Sequence, residues 1–403
     1  MTERKGPLHG IRILDLSRVL SGPFCTMILS DLGAEVIKIE EMERGDSTRA
    51  VPPFQNGMSH YYIAINRNKQ SVGVDARKPQ GREVILDLAR TADVAIENFR
   101  PGVRDRLGLS TAELRKINPK LIVCNISGYG QKVSMRDQPC FDIIAQAMSG
   151  LMSVNGDPSG PSMKVGIPLA DVGSGIWAAI GILAALQHRN ATGEALEMDL
   201  SMVDSLIALL GYINQIYLTT GESPGQPGNM HHNIVPYGVY PVKDGSIVLA
   251  LHHIDFWEKF CDVVGRRDLF EDPRYQSTAA RKENRAELDP IVCDILRQKT
   301  GAEWHVIFEL RDIPHSAVNS IEQALEQPLV KERGLLKTIE GGACGPVRVV
   351  GSPLQFDVNF DTRLTPPSLL GGDTAQVLRE LLNYDAGRIE ALGKAGAISP
   401  GRG

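Results

Sequence analysis

Along the first half of the chain, short β-branched runs alternate with amphipathic stretches of helical period. Ile11 to Leu16, Glu35 to Ile39, Ser71 to Val74, Val94 to Glu97 and Leu121 to Ile126 read as strands. Cys25 to Leu32, Gly81 to Thr91 and Thr111 to Ile117, lying between them, read as helices. That alternation predicts a parallel sheet covered by helices on both faces, with ligands bound at the carboxyl ends of the strands. Further on, Lys164 to Gly175 (KVGIPLADVGSG) carries Asp171 off an apolar segment into a glycine-bounded turn. That turn opens an apolar helix, Ile176 to Arg189, whose basic end suits the negative pole of the helix dipole. Leu196 to Leu200 reads as one more strand, and Met202 to Thr219 as a long, largely buried helix.

The pattern then breaks. Thr220 to Asn233 (TGESPGQPGNMHHN) is rich in glycine and proline and reads as a linker or an active-site loop. A smaller unit follows, with a hairpin over Gly238 to Leu251 turning at Asp244-Gly245 and helices at Phe256 to Val264, Arg281 to Gln298 and Ala302 to Leu310. Val347 to Val350 and Leu354 to Phe356 return to strand character. The chain closes with helices at Thr374 to Leu382, with Asp373 and Gln376 in capping-box positions, and at Ala386 to Leu392.

Composition removes several classes of function. Charged residues make up 23% of the 403 and the formal net charge is −5, so no basic excess points to nucleic acid or to an anionic membrane surface. The six cysteines (Cys25, Cys124, Cys140, Cys261, Cys293, Cys344) are scattered, with no CxxC and no histidines at zinc-ligand spacing, and read as reduced thiols. With no signal-peptide pattern and no apolar run long enough to span a bilayer, a soluble cytoplasmic protein is expected. Leu32 to Glu40 looks like a second dinucleotide-fold strand ending in an acid. The first turn, Leu16 to Pro23, has one glycine where the dinucleotide fingerprint needs three, so NAD is not expected.

Asp171 has two readings: an N-cap, a task open also to Ser174, or a carboxylate nucleophile. The glycine loop around Tyr129 (NISGYGQ) follows a strand, and is either a ligand-approaching turn or an ordinary tight one. His231-His232 and His252-His253 lack a third ligand at zinc-site spacing and read as solvated or packed residues.

Taken in order, LDLSRVLSGPFCTMILSDLGAEVIKIE, NRNKQSV, ENFRPGVRDRLGL, ISGYGQ, FDIIAQAMSGLMSVNG, the Asp171 segment with GILAALQHRNATG, PYGVYPVKDG, IPHSAVNSIEQAL and PPSLLGGDTAQVLREL closely resemble the family III CoA-transferases. The resemblance runs from about Leu8 to the last helix. It implies a Rossmann-like α/β large domain (residues 1–200 and 330–403), an inserted smaller α+β domain (231–320), linkers at 201–230 and 321–329, and an interlocked homodimer. It also implies catalysis by Asp171 through a mixed anhydride and an aspartyl-CoA thioester, with acyl-CoA as substrate, no tightly bound cofactor and no metal. Residue by residue, Val19, Asn98, Phe99 and Arg106 match CoA-contacting positions, and Leu20, Ser21, Tyr129 and Asp142 match positions lining the site. Backbone N–H groups in the glycine turns near Asp171 and Tyr129 are expected to hold oxyanions.

Three departures narrow the substrate. Leu20 stands where the formyl-CoA:oxalate member has glutamine, Asp142 stands for glutamate, and that member's run of four glycines is missing. Oxalate with formyl-CoA is therefore not the expected pair; the blocks resemble the succinyl-CoA:dicarboxylate members about as well as any, which implies a donor such as succinyl-CoA and a small dicarboxylic acceptor, with Arg18, Arg49, Lys164 or the His231-His232 loop as anchors for the far carboxylate. The alternatives are a 2-methylacyl-CoA racemase of the same fold, which needs a histidine where this chain has Phe141, and a CoA-binding protein without turnover.

Overall fold

A computed structural model describes residues 5–358, 360 and 364–399. The chain divides into two compact units, one of Met1–Leu151, Val165–Gly211 and Leu329–Gly403, the other of Met152–Lys164 and Tyr212–Pro328.

The first unit is built on a seven-stranded sheet. Its strands are β1 (Arg12–Asp15), β2 (Glu35–Glu40), β3 (Lys69–Val74), β4 (Val94–Glu97), β5 (Ile122–Ser127), β6 (Glu197–Ser201) and the short β7 (Ile398–Ser399). The order is β7-β3-β2-β1-β4-β5-β6, and only β7 runs antiparallel. Successive side chains feed opposite cores: Ile13 packs with Leu29, Ile96, Ile122 and Ile182 on one face, Leu14 with Val84, Leu88 and Val123 on the other. Up to residue 209 its helices are α1 (Ser21–Asp31), α2 (His60–Asn66), α3 (Pro79–Thr91), α4 (Val103–Arg106), α5 (Thr111–Ile117), α6 (Asp142–Met148), α7 (Leu169–Thr192) and α8 (Met202–Leu209), and near the C-terminus Thr374–Leu382 and Ala386–Lys394 are helical too. The first six strands follow the doubly wound order 3-2-1-4-5-6, so the chain reverses direction between β1 and β4. A crevice at that reversal is where open α/β sheets take ligands.

Several local expectations change. α7 starts at Leu169, seven residues before the expected Ile176, so Asp171 lies in its first turn. The glycines beside Asp171 are therefore inside a helix, and their N–H groups belong to its ladder rather than to an oxyanion turn. They serve packing: a Cβ on Gly175 would come 2.8 Å from Ser21 O, and one on Gly173 2.6 Å from Leu209 Cδ1. Neither Asp171 nor Ser174 caps the helix; the N-cap is Pro168, and Ser174 Oγ donates to Ala170 O at 2.6 Å. α7 is also long and apolar enough to cross a bilayer, against the expectation that no run is. Half of that stretch is buried against the first unit's core, which is the environment of a core helix.

The expected helix Met202 to Thr219 is two, Met202–Leu209 and Tyr212–Thr220, broken at Gly211 with φ 55°, so the stretch expected as a linker is largely helical. Leu354 to Phe356 forms no strand. Asp373 makes no capping bond; its carboxylate accepts Ser71 N–H at 2.7 Å and ties the helix Thr374–Leu382 to β3.

In the second unit the hairpin is present, Tyr237–Val242 paired with Gly245–Ala250, with His315–Ala317 as a third strand. Trp257, Phe260, Leu288, Trp304 and Phe308 fill its core. His231 Nδ1 accepts Asn233 and Ile234 N–H at 3.0 and 3.1 Å, and Nε2 lies 3.1 Å from Tyr212 OH. Both ring nitrogens are thus spent on folding the loop, which leaves none for a carboxylate or a metal.

Candidate active site

The turn after β1 is held at both ends. Arg18 N–H donates to Asn98 Oδ1 at 2.8 Å, and Asn98 Nδ2 returns bonds to Arg18 O at 2.7 Å and Ser21 Oγ at 3.1 Å. Because Asn98 follows β4, this exchange bridges the two strands at the reversal of the sheet. The guanidinium of Arg18 lies 5.1 Å over the Phe99 ring. Arg18, Val19, Asn98, Arg44, Gly45 and Ser47 are among the residues that line a cavity of about 770 Å³. Arg18 and Arg44 are exposed there, so the cavity presents positive charge to an anionic ligand. Arg106, on α4, is exposed and outside the lining of this cavity.

Arg49, expected as an anchor, has most of its donors held by neighbours. Its guanidinium makes a two-point pair with Glu40 at 2.8 and 2.6 Å and donates to Tyr62 OH at 2.6 Å. Those bonds tie it to the fold, yet Arg49 also lines the cavity beside Arg18 and Arg44.

Asp171 is set by a second element. Asp142, in the first turn of α6, accepts Ala170 N–H at 2.8 Å and Gln146 Nε2 at 2.7 Å. Gln146 Oε1 accepts Val165 N–H at 2.9 Å. Asp142 and the buried Gln146 therefore fix the approach to α7 and supply the cap that its own residues do not. Burial, and then the charge of Asp142, push the Asp171 carboxyl up to about 7. A position in the first turn of a 24-residue helix favours its anion, so the upward shift means desolvation wins over the dipole.

The Tyr129 loop closes the other side. A Cβ on Gly128 would fall 2.1 Å from Cys140 Cβ, so glycine there is what lets the start of α6 lie against the end of β5. Tyr129 OH donates to Pro139 O at 3.5 Å, beside Cys140, whose thiol feels the charges of Asp171 and Asp142. Tyr61, a residue unmarked by any sequence motif, packs with Leu20, Phe24 and Val172. Burial, then the charges of Asp171, Asp46 and Asp142, push its phenol up to about 12, so it stays an O–H donor. The structure thus gathers Asp171, Asp142, Tyr129, Leu20 and Ser21 with Tyr61 and Cys140, while Val19, Asn98 and Phe99 flank the cavity at the strand reversal. Phe141 is exposed and holds no imidazole.

A carboxylate made basic by burial and a neutral phenol that feels its charge have the parts for acyl transfer, and the arginine-bearing cavity suits an anionic substrate. The comparisons agree with that class of chemistry. The family described as CoA-transferase family III matches residues 8–374, and the chain belongs to it. The chain is 37% identical over 393 residues to the mouse (Mus musculus) succinyl-CoA:glutarate CoA-transferase, covering 97% of this chain and 90% of the relative. It is 38% identical over 395 residues to the succinate–glutarate CoA-transferase of Agrobacterium fabrum, covering 94% and 97%. Among solved structures, a CaiB/BaiF family protein from Brucella suis superposes with a TM-score of 0.83 at 32% identity, over 94% of this chain and all (100%) of that one.

Proposed function

We propose that the protein moves CoA from succinyl-CoA, or a similar donor, to a small dicarboxylic acid through covalent intermediates on Asp171. The observation that carries this reading is the Asp171 carboxyl, half-buried, pushed up to about 7 and aimed by the Asp142–Gln146 clasp. An Asp171 oxygen attacks the thioester carbonyl carbon, the C–S bond breaks, and CoA thiolate leaves a mixed anhydride. The thiolate then attacks the Asp171 carbonyl carbon and expels the donor as its carboxylate, giving an aspartyl-CoA thioester. The acceptor carboxylate repeats the two steps in reverse order, so the thioester energy is kept and Asp171 is regenerated. Tyr61 O–H is a donor for the oxyanion of a tetrahedral intermediate, joined by N–H groups of the Tyr129 loop. Arg18 and Arg44 serve the CoA phosphates from the cavity wall.

The test is a panel of acceptors offered with succinyl-CoA. Glutarate and its homologues are expected to be accepted at least about tenfold better in kcat/KM than monocarboxylates of equal length, the size expected from one charged contact. Equal rates would remove the dicarboxylate assignment. Exchange of the α-proton of a 2-methylacyl-CoA into heavy water, with no transfer, would establish the racemase reading instead.

Two copies are expected to work together. α7 leaves Ile176, Trp177, Ile180 and Leu183 exposed along one face, and an apolar cavity of about 870 Å³ lined by Phe24, Met27, Ile63 and Ile176 opens beside it. A stripe of that kind on a helix calls for cover by apolar surface. The interlocked homodimer would supply it. Ile180→Glu is expected to give a monomer by light scattering where the wild type is a dimer. An unchanged dimer would remove this face from the interface.

A further inference from the structure

Five non-glycine residues among those described have positive φ, and four of them are asparagine or aspartate, types that tolerate it. The fifth is Val19, at φ 66°. A β-branched residue in the left-handed region is strained and persists only where its surroundings overdetermine it. Those surroundings are visible. Val19 N–H is shared between both carboxylate oxygens of Asp46, at 3.2 Å each. Asp46 pairs with Lys38 Nζ at 3.0 Å, and the same ammonium donates to Ser17 O at 2.9 Å. One buried ion pair therefore grips the turn on both sides of Arg18. Asp15 holds Ser17 N–H at 2.9 Å, and Thr48 Oγ1 donates to Asp46 at 2.8 Å and fixes its carboxylate.

Lys38 and Asp46 have no exposed side-chain surface and neither lines the cavity, whereas Arg18 and Val19 form its wall. Taking two charges out of water is costly, and apolar packing would hold a sheet at least as well. From this geometry we propose that the Lys38–Asp46 pair is a positioning device for the acyl-CoA substrate: it holds Val19 left-handed so that the Arg18–Ser21 turn is already shaped to receive the CoA moiety. The inference rests on the CoA-transferase reading above. Lys38 and Asp46 touch no substrate; they act through the turn.

The experiment compares wild type with Asp46→Asn, Thr48→Val and Asp46→Asn/Val19→Gly, measuring steady-state transfer from succinyl-CoA to glutarate and calorimetric binding of free CoA. Loosening the clamp is expected to raise KM for succinyl-CoA and Kd for CoA about tenfold in Asp46→Asn, with kcat at saturation lowered less than about threefold. Adding Val19→Gly, which removes the conformational penalty, is expected to recover at least half of that loss on a logarithmic scale. Thr48→Val leaves the buried charges paired, is expected to keep the fold, and is expected to show the same KM effect at smaller size, about threefold. A fall in thermal midpoint and kcat with KM unchanged, or a double variant no better than Asp46→Asn, would overturn the positioning role while the transferase reading stands. Wild type that binds no CoA would overturn that reading, and the positioning role with it.

Discussion

Asp171→Asn is expected to lower transfer by roughly 10⁴-fold or more, because an amide cannot form the anhydride and the remaining groups only bind and polarise. The same substitution is expected to stabilise the fold above neutral pH. The Asp171 carboxyl is held near 7 by burial and by Asp142, well above the usual carboxylate range. The folded protein therefore keeps a proton that the unfolded chain gives up from about pH 4, and wild type loses stability as pH rises from there to about 7. Asparagine removes that loss. With Asp171 only partly shielded from water, the gain is expected at about 1–2 kcal/mol at pH 8 and near zero at pH 4, read from denaturant midpoints at the two pH values. A variant less stable than wild type at both would contradict the strain assigned to this carboxylate.

The second large effect is on pH dependence. Only the ionised carboxyl attacks, so kcat/KM for succinyl-CoA is expected to rise with pH and level off above about 7. At pH 5 it should be about 100-fold below its plateau, from the ionised fraction alone. A second group titrates in the same window: burial pushes Glu97 up to about 7 although its carboxylate accepts Phe99 N–H at 2.6 Å. Glu97→Gln keeps an acceptor for that N–H and removes the titration, so the ascending limb is expected to survive in it. A limb that vanished would transfer the pH dependence to Glu97. Asp142→Asn should move the limb down, since the neighbouring charge that helps raise Asp171 is gone; an unmoved limb would deny that coupling.

Much of the fold is legible along the chain because its elements are locally written. Strands buried on both faces read as β-branched runs, and the Asp244-Gly245 turn announces its hairpin. The readings that failed did so where a distant partner outweighed a local signal. Asp373 looks like a cap, yet Ser71 N–H takes its carboxylate. The glycines beside Asp171 look like a turn, but their lack of side chains lets α7 lie against Ser21 O and the Leu209 side chain. Tyr61 and Arg44 carry no signature, since their relation to Asp171 and to the cavity exists only in space. The Lys38–Asp46 pair did leave a trace. Val36, Lys38 and Glu40 share one face of β2, Asp15 stands opposite Lys38 in the register, and charges at such positions in a doubly covered sheet need partners. Asp171 was marked by its local pattern as either a cap or a nucleophile, and the resemblance favoured the second; for Arg49 the sequence did not show that Glu40, nine residues away along the chain, holds part of its guanidinium.

The central claim is that Asp171 is acylated during transfer. Wild type and Asp171→Ala should be incubated with succinyl-CoA, quenched with hydroxylamine, digested and examined by mass spectrometry. Hydroxylamine turns an activated carboxyl into a stable hydroxamate, so the account predicts that mass change on the Asp171 peptide of wild type and none in the variant. An unmodified Asp171 peptide in wild type that is turning over succinyl-CoA, or a hydroxamate on any other carboxyl, would contradict it.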